Sequence, residues 1–193
     1  MKSQAFESLR HACEQALAPV GKRIVFGQGR LDADVVLIGE APGAQEEEQG
    51  RPFVGKAGKN LDEFLLLSGM DRKALYITNV VKFRPTKTKG KSLSNRPPTN
   101  EEIQMCRPFL WRELRLVNPA LVVTLGNVAL KAVYGQTTRI GDVHGQYLQI
   151  PVEGQAYTLY ALYHPASIIY NPSLREVYLQ DLKGLACWGK YGL

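Results

Sequence analysis

Cysteine is scarce in this chain. Its 193 residues hold three, Cys13, Cys106 and Cys187, and no two of them stand at a metal-ligand spacing. Spacing alone therefore gives no zinc framework and no disulfide framework. Long apolar runs are missing as well: none approaches the ~20 residues that a membrane-spanning helix requires. The opening residues, Met1-Lys2-Ser3-Gln4, carry no secretory signal pattern and lead straight into an amphipathic segment. A cytoplasmic protein with no membrane partner is the expectation. No internal repeat and no low-complexity tail is visible, and residues 1–193 read as a single domain. Acidic residues are in deficit, 18 against 24 Lys and Arg, for a formal charge of +6. Such a balance suits a polyanionic partner. The distribution says more than the total. Lys82, Arg84, Lys87, Lys89, Lys91 and Arg96 crowd into one stretch rich in Pro, Gly, Ser and Thr, whereas Glu46, Glu47 and Glu48 lie elsewhere.

The apolar pattern alternates between short runs and helical spacing. Asp34–Ile38, Leu75–Val80, Leu121–Leu125 and Thr158–Tyr163 read as buried parallel strands. Helical faces run through Phe6, Leu9, Cys13 and Leu17, and through Leu61, Phe64, Leu65 and Ser68, closed by Gly69. Thr99 and Glu102 form a capping-box pattern before a helix carrying Ile103, Cys106, Leu110 and Leu114. Pro108 is expected to kink or restart that helix. Another helix follows Gly126, and residues 141–157 read as an irregular hairpin. A last helix opens at Asn171-Pro172 and carries Leu174, Val177, Tyr178, Leu182 and Leu185. Strands alternating with helices predict a three-layer α/β/α sandwich around a central, mainly parallel, four-stranded sheet.

Chemistry-bearing residues fall at the carboxyl ends of those strands. Gly39-Glu40-Ala41-Pro42-Gly43 follows the first strand, Asn79 the second and His164-Pro165-Ala166 the fourth. In an open α/β sheet that edge is where ligands bind. The glycines and proline after the first strand make a turn in which backbone can approach a ligand closely. Phe53, bracketed by Pro52 and Gly55, sits in a loop that suits a ring presented to a ligand, or else tucks into the core. An amide such as Asn79 offers a donor and an acceptor side by side, though a turn asparagine is the plainer role.

These pieces together carry a resemblance. GEAPG with its downstream Gln45-Glu46-Glu47, the segment Gly50-Arg51-Pro52-Phe53-Val54-Gly55 with Gly58, Thr78 to Lys82, and the HPA loop resemble the uracil-DNA glycosylases of the family 4 type, from about Ile24 to Leu185. The resemblance implies a monofunctional enzyme of base excision repair. It would hydrolyse the bond between uracil and deoxyribose in DNA and leave an abasic site, acting as a monomer on uracil-containing DNA. The target nucleotide must leave the stack and enter a pocket. Phe53 would stack on uracil. Asn79 would accept from N3–H and donate to O4, an arrangement that cytosine cannot meet. His164 would stabilise the negative charge building on the departing ring. Glu40 would position water or support the cationic sugar. Gly39, Ala41, Pro42 and Gly43 would line the substrate side, and Glu46 would build the wall that excludes a thymine methyl group. Ser167, Ile168 and Ile169 would enter the DNA stack as a wedge, unless the isoleucines simply begin the core of the last helix. Lys82, Arg84, Lys87, Lys89 and Lys91 would contact phosphates from an exposed, mobile loop. Two other readings keep the same fold: an inactive DNA-binding homologue, and an α/β hydrolase of a small nucleotide.

The likeness to that family breaks at the cysteines. Members usually hold an iron–sulfur cluster through four of them. Cys13 and Cys106 match two places, but Ala16 and Phe83 occupy the others, and Cys187 lies where no ligand is expected. No cofactor and no metal is therefore expected here. The insert from Pro85 to Asn95 is longer than usual and holds no histidine, so covalent trapping of DNA is not expected.

Overall fold

The computed structural model describes residues 1–90 and 92–191, without the side chains of Lys89, Ile169, Cys187, Lys190 and Tyr191. Lys91 lies outside the described residues. The expected strands form the parallel centre of a wider sheet. In chain order the strands of that sheet are β1 (Gln28–Gly29), which was not expected, β2 (Val35–Gly39), β3 (Tyr76–Asn79), β6 (Leu121–Leu125), β7 (Tyr147–Val152) and β8 (Gln155–Leu162), while β4 (Thr86–Lys89) and β5 (Ser92–Asn95) lie elsewhere. The order across the six-stranded sheet is β1-β3-β2-β6-β8-β7. β3, β2, β6 and β8 run parallel, while β1 and β7 pair antiparallel at the two edges. A hairpin was expected over 141–157; β7 and β8 form one, but it starts at Tyr147, because Ile140–Val143 forms a short helix, α6, and it runs on into the strand expected over Thr158–Tyr163. Most of β7's inward positions alternate with exposed ones, a weaker signal than the unbroken apolar runs of the buried centre.

Strand alternation sends successive side chains to opposite faces. Val36, Ile38 and Val122 pack on one face with α1 (Lys2–Leu17), α4 (Asn100–Val117) and α5 (Gly126–Val133). Val35, Leu37, Leu121 and Val123 pack on the other with α3 (Lys56–Ser68) and α8 (Leu174–Tyr191). Three layers result, as expected. Thr99 caps α4 with its side chain accepting from Glu102 N, and Glu102 reaches back to Thr99 N at 2.8 Å. The helix runs through Pro108 without a restart, because α4 is held on both sides of it by buried Cys106 and Leu110. α8 begins at Leu174, two positions past Pro172. Asn171 instead caps the preceding turn, its Oδ1 accepting from Ser173 Oγ at 2.6 Å.

The basic stretch is the main departure. A loop was expected, but Thr86–Lys89 (β4) and Ser92–Asn95 (β5) form a separate antiparallel hairpin with Thr88 opposite Leu93. Gly90 takes a left-handed φ of 62° in its turn. Arg96 fastens its base, donating to Thr86 O and, with both terminal nitrogens, to the Glu102 carboxylate at 2.7 Å. Ser, Thr and Lys alternate without a hydrophobic face, so no strand signal stood out in the sequence.

Candidate active site

The carboxyl ends of β2, β3 and β8 open onto one cavity of about 470 Å³. Glu40, Ala41, Gly43, Glu46, Phe53, Asn79 and His164 all line it, so residues spread over 125 positions of sequence meet in one place. Gly39 and Pro42 stand behind the wall. A Cβ at Gly39 would collide with the Asn79 amide and the Phe53 ring, so only glycine lets those two side chains close over the end of β2. The loop after β2 is laced to the one after β3: Val80 N donates to Gly39 O at 2.9 Å and Val81 N to Glu40 O at 3.1 Å.

Phe53 is buried and has a positive φ of 53°, uncommon for an aromatic residue. Arg72 holds it there, donating to Phe53 O at 2.9 Å and Pro52 O at 3.2 Å. Gly58 leaves room for the same carbonyl, which a Cβ at that position would strike. The Phe53 and His164 rings face each other across the cavity, 6.3 Å between centroids and 29° from parallel.

Glu46 is no solvated acid. It sits in the first turn of a short helix, α2 (Ala44–Gln49), and is buried. Its carboxylate accepts from Gly43 N at 3.1 Å, Val54 N at 3.0 Å and Gly55 N at 2.7 Å. It therefore ties the turn after β2 to the Phe53 loop while also facing the cavity.

Three polar groups are left free to meet a ligand. Asn79 is 2% exposed, and among the described residues its side-chain amide has no hydrogen-bond partner. The Glu40 carboxylate has none among those residues either, and burial raises its pKa. His164 accepts from Ala166 N at its Nδ1, 3.1 Å away. Burial lowers its pKa, favouring the neutral ring. With Nδ1 used as an acceptor, the ring proton belongs on Nε2, which has no protein partner among the described residues. The site therefore presents an amide, a carboxylate and an imidazole N–H donor around a flat space. Gly126 backs the histidine with a φ of 87°, and a Cβ there would lie 3.0 Å from His164 Cβ.

The expected DNA-contacting residues divide. Lys82 is a correction: its side chain is fully buried and its ammonium pairs with Glu113, so it faces no phosphate. Arg84 is also largely enclosed, donating to Glu47 at 3.1 Å and to Asn95 Oδ1 at 2.7 Å. Lys87 is exposed on the hairpin, whereas the side chain of Lys89 lies outside the description. Ser167 and Ile168 lie on α7 (Ser167–Tyr170), and Ile168 packs against the core beneath α8 instead of projecting as a wedge. Of Ile169 only the backbone is described. Tyr170, 86% exposed at the cavity rim, projects from that loop. Lys56, Asn95 and Tyr170 line the rim and were not among the expected site residues. Tyr170 was legible in the sequence as an aromatic in the loop that follows His164; Asn95 was not, because the hairpin brings it in.

A four-cysteine cluster does not fit these residues. Cys13 and Cys106 are buried between α1 and α4, but Phe83 is packed in the same core and Ala16 is exposed. Burial pushes the Cys13 thiol up to about 12 and raises Cys106, so both are protonated in the packed core. Cys106 Sγ instead accepts from Lys82 N at 3.5 Å. Among the described residues, no group of three or more His, Cys, Asp and Glu side chains is placed to hold a metal ion.

The fold is that of an α/β protein with its cavity at the carboxyl edge of a parallel sheet, lined by an amide, a carboxylate, an imidazole and a phenyl ring. A sequence model of the Uracil DNA glycosylase superfamily matches residues 26–183, and the chain belongs to that superfamily. Several type-4 members are among the proteins it is similar to. The Archaeoglobus fulgidus type-4 uracil-DNA glycosylase is 40% identical over 163 residues, 82% of this chain and 78% of the relative. That of Pyrobaculum aerophilum is 36% identical over 187 residues, 94% of this chain and 92% of the relative. The Thermotoga maritima enzyme of the same type is 38% identical over 164 residues, 83% and 80% of the two chains.

Proposed function

We propose that this chain is a monofunctional uracil-DNA glycosylase that hydrolyses the uracil–deoxyribose bond and leaves an abasic site. One observation carries the reading: the unpartnered amide of buried Asn79 and the Nε2–H of neutral His164 face the same cavity, with Phe53 as its flat wall. The names of the type-4 relatives point the same way. In this reading uracil stacks on Phe53, and Asn79 accepts from N3–H and donates to O4. The C1′–N1 bond breaks with its electron pair moving into the ring and onto O2, where His164 donates a hydrogen bond. Water adds to C1′ and gives a proton to the ionised Glu40 carboxylate, and the released uracil anion is protonated from solvent. A neutral imidazole suffices because it donates a hydrogen bond and transfers no proton. Exposed Lys87 and the Tyr170 rim would grip the DNA, and no iron–sulfur cluster takes part.

Excision from uracil-containing single- and double-stranded oligonucleotides tests this. Strand breaks should appear only after alkali. Breaks without alkali would show a lyase activity. No excision would leave a binding homologue, and release from free nucleotides alone would indicate a small-molecule hydrolase.

A further inference from the structure

Beneath Asn79 lies a charged network that the proposed chemistry does not use. The side chains of Lys82 and Glu113 are both 0% exposed. The Lys82 ammonium has three hydrogens and three acceptors: Glu113 Oε2, Thr78 Oγ1 at 2.7 Å and the backbone carbonyl of Asn79 at 2.7 Å. Glu113, reaching down from α4, also accepts from Tyr76 Oη at 2.7 Å, Gly27 N at 3.1 Å and Thr78 Oγ1 at 3.1 Å. Every donor and acceptor of the pair is thus engaged in the dry interior. Burying two charges costs much of what their attraction returns, so an apolar pair of similar volume would often serve stability as well. The pair therefore calls for a reason other than stability.

Its geometry supplies one. β3 ends at Asn79, and Lys82 lies three positions on, folded back so that its ammonium grips the last carbonyl of the strand. The Asn79 amide has no partner of its own among the described residues, so its aim depends on where the backbone is held and on the packing of Gly39 and Phe53. We propose that Lys82 and Glu113 are positioning residues that fix the Asn79 backbone and so aim its amide at the bound pyrimidine edge. This rests on the reading of Asn79 given above.

The test is Lys82→Met combined with Glu113→Leu, which removes both charges and leaves none stranded. The double variant should fold and bind uracil-containing duplex as the parent chain does. Its single-turnover excision should fall roughly 10–100-fold, the cost of a small misplacement at a reacting centre. Inhibition by free uracil should weaken in step. In an Asn79→Ala background the same double change should cost little further rate, because both alter one interaction. An undiminished rate in the folded variant, an additive loss in the Asn79→Ala background, or failure of the double variant to fold would each overturn the proposal. Full activity of Asn79→Ala alone would instead remove Asn79 from the reading edge, and the positioning role with it. Loss with Asn79→Ala but none with the double variant sinks the positioning role alone.

Discussion

His164 shows how much one backbone contact can decide. Its Nδ1 is held as an acceptor by Ala166 N, and burial disfavours the imidazolium. His164→Ala should therefore lower the single-turnover rate about a hundredfold or more while changing DNA affinity little; gel-shift and quench-flow measurements on the same duplex separate the two. Glu40 shifts the other way, upward with burial, and must be ionised to accept a proton. As pH falls, Glu40 protonates earlier than an ordinary carboxylate, and His164 gains its proton later than an ordinary histidine. The acid limb of the pH–rate profile should thus lie at higher pH than the protonation of an ordinary glutamate. Glu40→Gln should abolish that limb and lower the plateau by roughly 10²–10⁴-fold. A limb that persists unchanged in Glu40→Gln would assign it to another group. Asn79, Phe53 and His164 were legible in the sequence because each stands beside a strand end or between turn formers. Gly126 and Arg72 were not: each acts on a residue far along the chain, His164 and Phe53 respectively.

Loops and hairpins, more than strands, set the shape of the site. Glu46 staples the turn after β2 to the Phe53 loop, and Gly58 lets that loop close over α3. Gly58→Ala should push the Phe53 carbonyl out of place, destabilising the fold by ~1–3 kcal/mol. Thermal unfolding should record it as a lowered Tm, and excision should slow in parallel; a wild-type Tm would mean that the loop yields freely. The β4–β5 hairpin carries the remaining candidates for phosphate contact. Neutralising Lys87, Lys89 and Lys91 together should weaken binding to all DNA sequences alike. The slope of log affinity against log salt should drop by roughly 0.9 for each lost duplex contact. Chemistry at saturating DNA should hardly change. Wild-type affinity and slope in that variant would make the hairpin a solvated insertion.

Over the whole molecule, the basic stretch is less free than its composition implies. Lys82 pairs with Glu113, Arg84 with Glu47 and Arg96 with Glu102. Much of its charge is spent within the fold, and the surface left for a polyanion narrows toward the hairpin and the cavity rim. The core between α1 and α4 is likewise already filled. Phe83 packs there beside two buried thiols whose pKa values are raised. Anaerobically purified protein should be colourless and free of stoichiometric iron by metal analysis. Several irons per chain, with a brown colour, would mean that ligands other than Cys13 and Cys106 complete a cluster.

Local chemistry wrote the architecture into the chain. Apolar runs of strand length, helical spacing, caps such as Thr99 and Gly69, and turn formers after each strand are set by neighbours a few residues apart. They yielded the parallel centre, the layers and the edge where the site lies. Charge was not local in this sense. Lys82 reads as one more cation in a basic run until α4 brings Glu113 against it from 31 positions away. Glu46 is one of three consecutive acids, and only the fold shows that it, and not Glu48, meets the N–H groups of Val54 and Gly55. Ile168 reads as part of the DNA wedge, and Tyr170 does not stand out beside it, until the core packs against the first and leaves the second outside. Whether a polar or bulky side chain faces water, ligand or core depends on what the rest of the fold brings beside it, and hydrophobic periodicity carries little of that information.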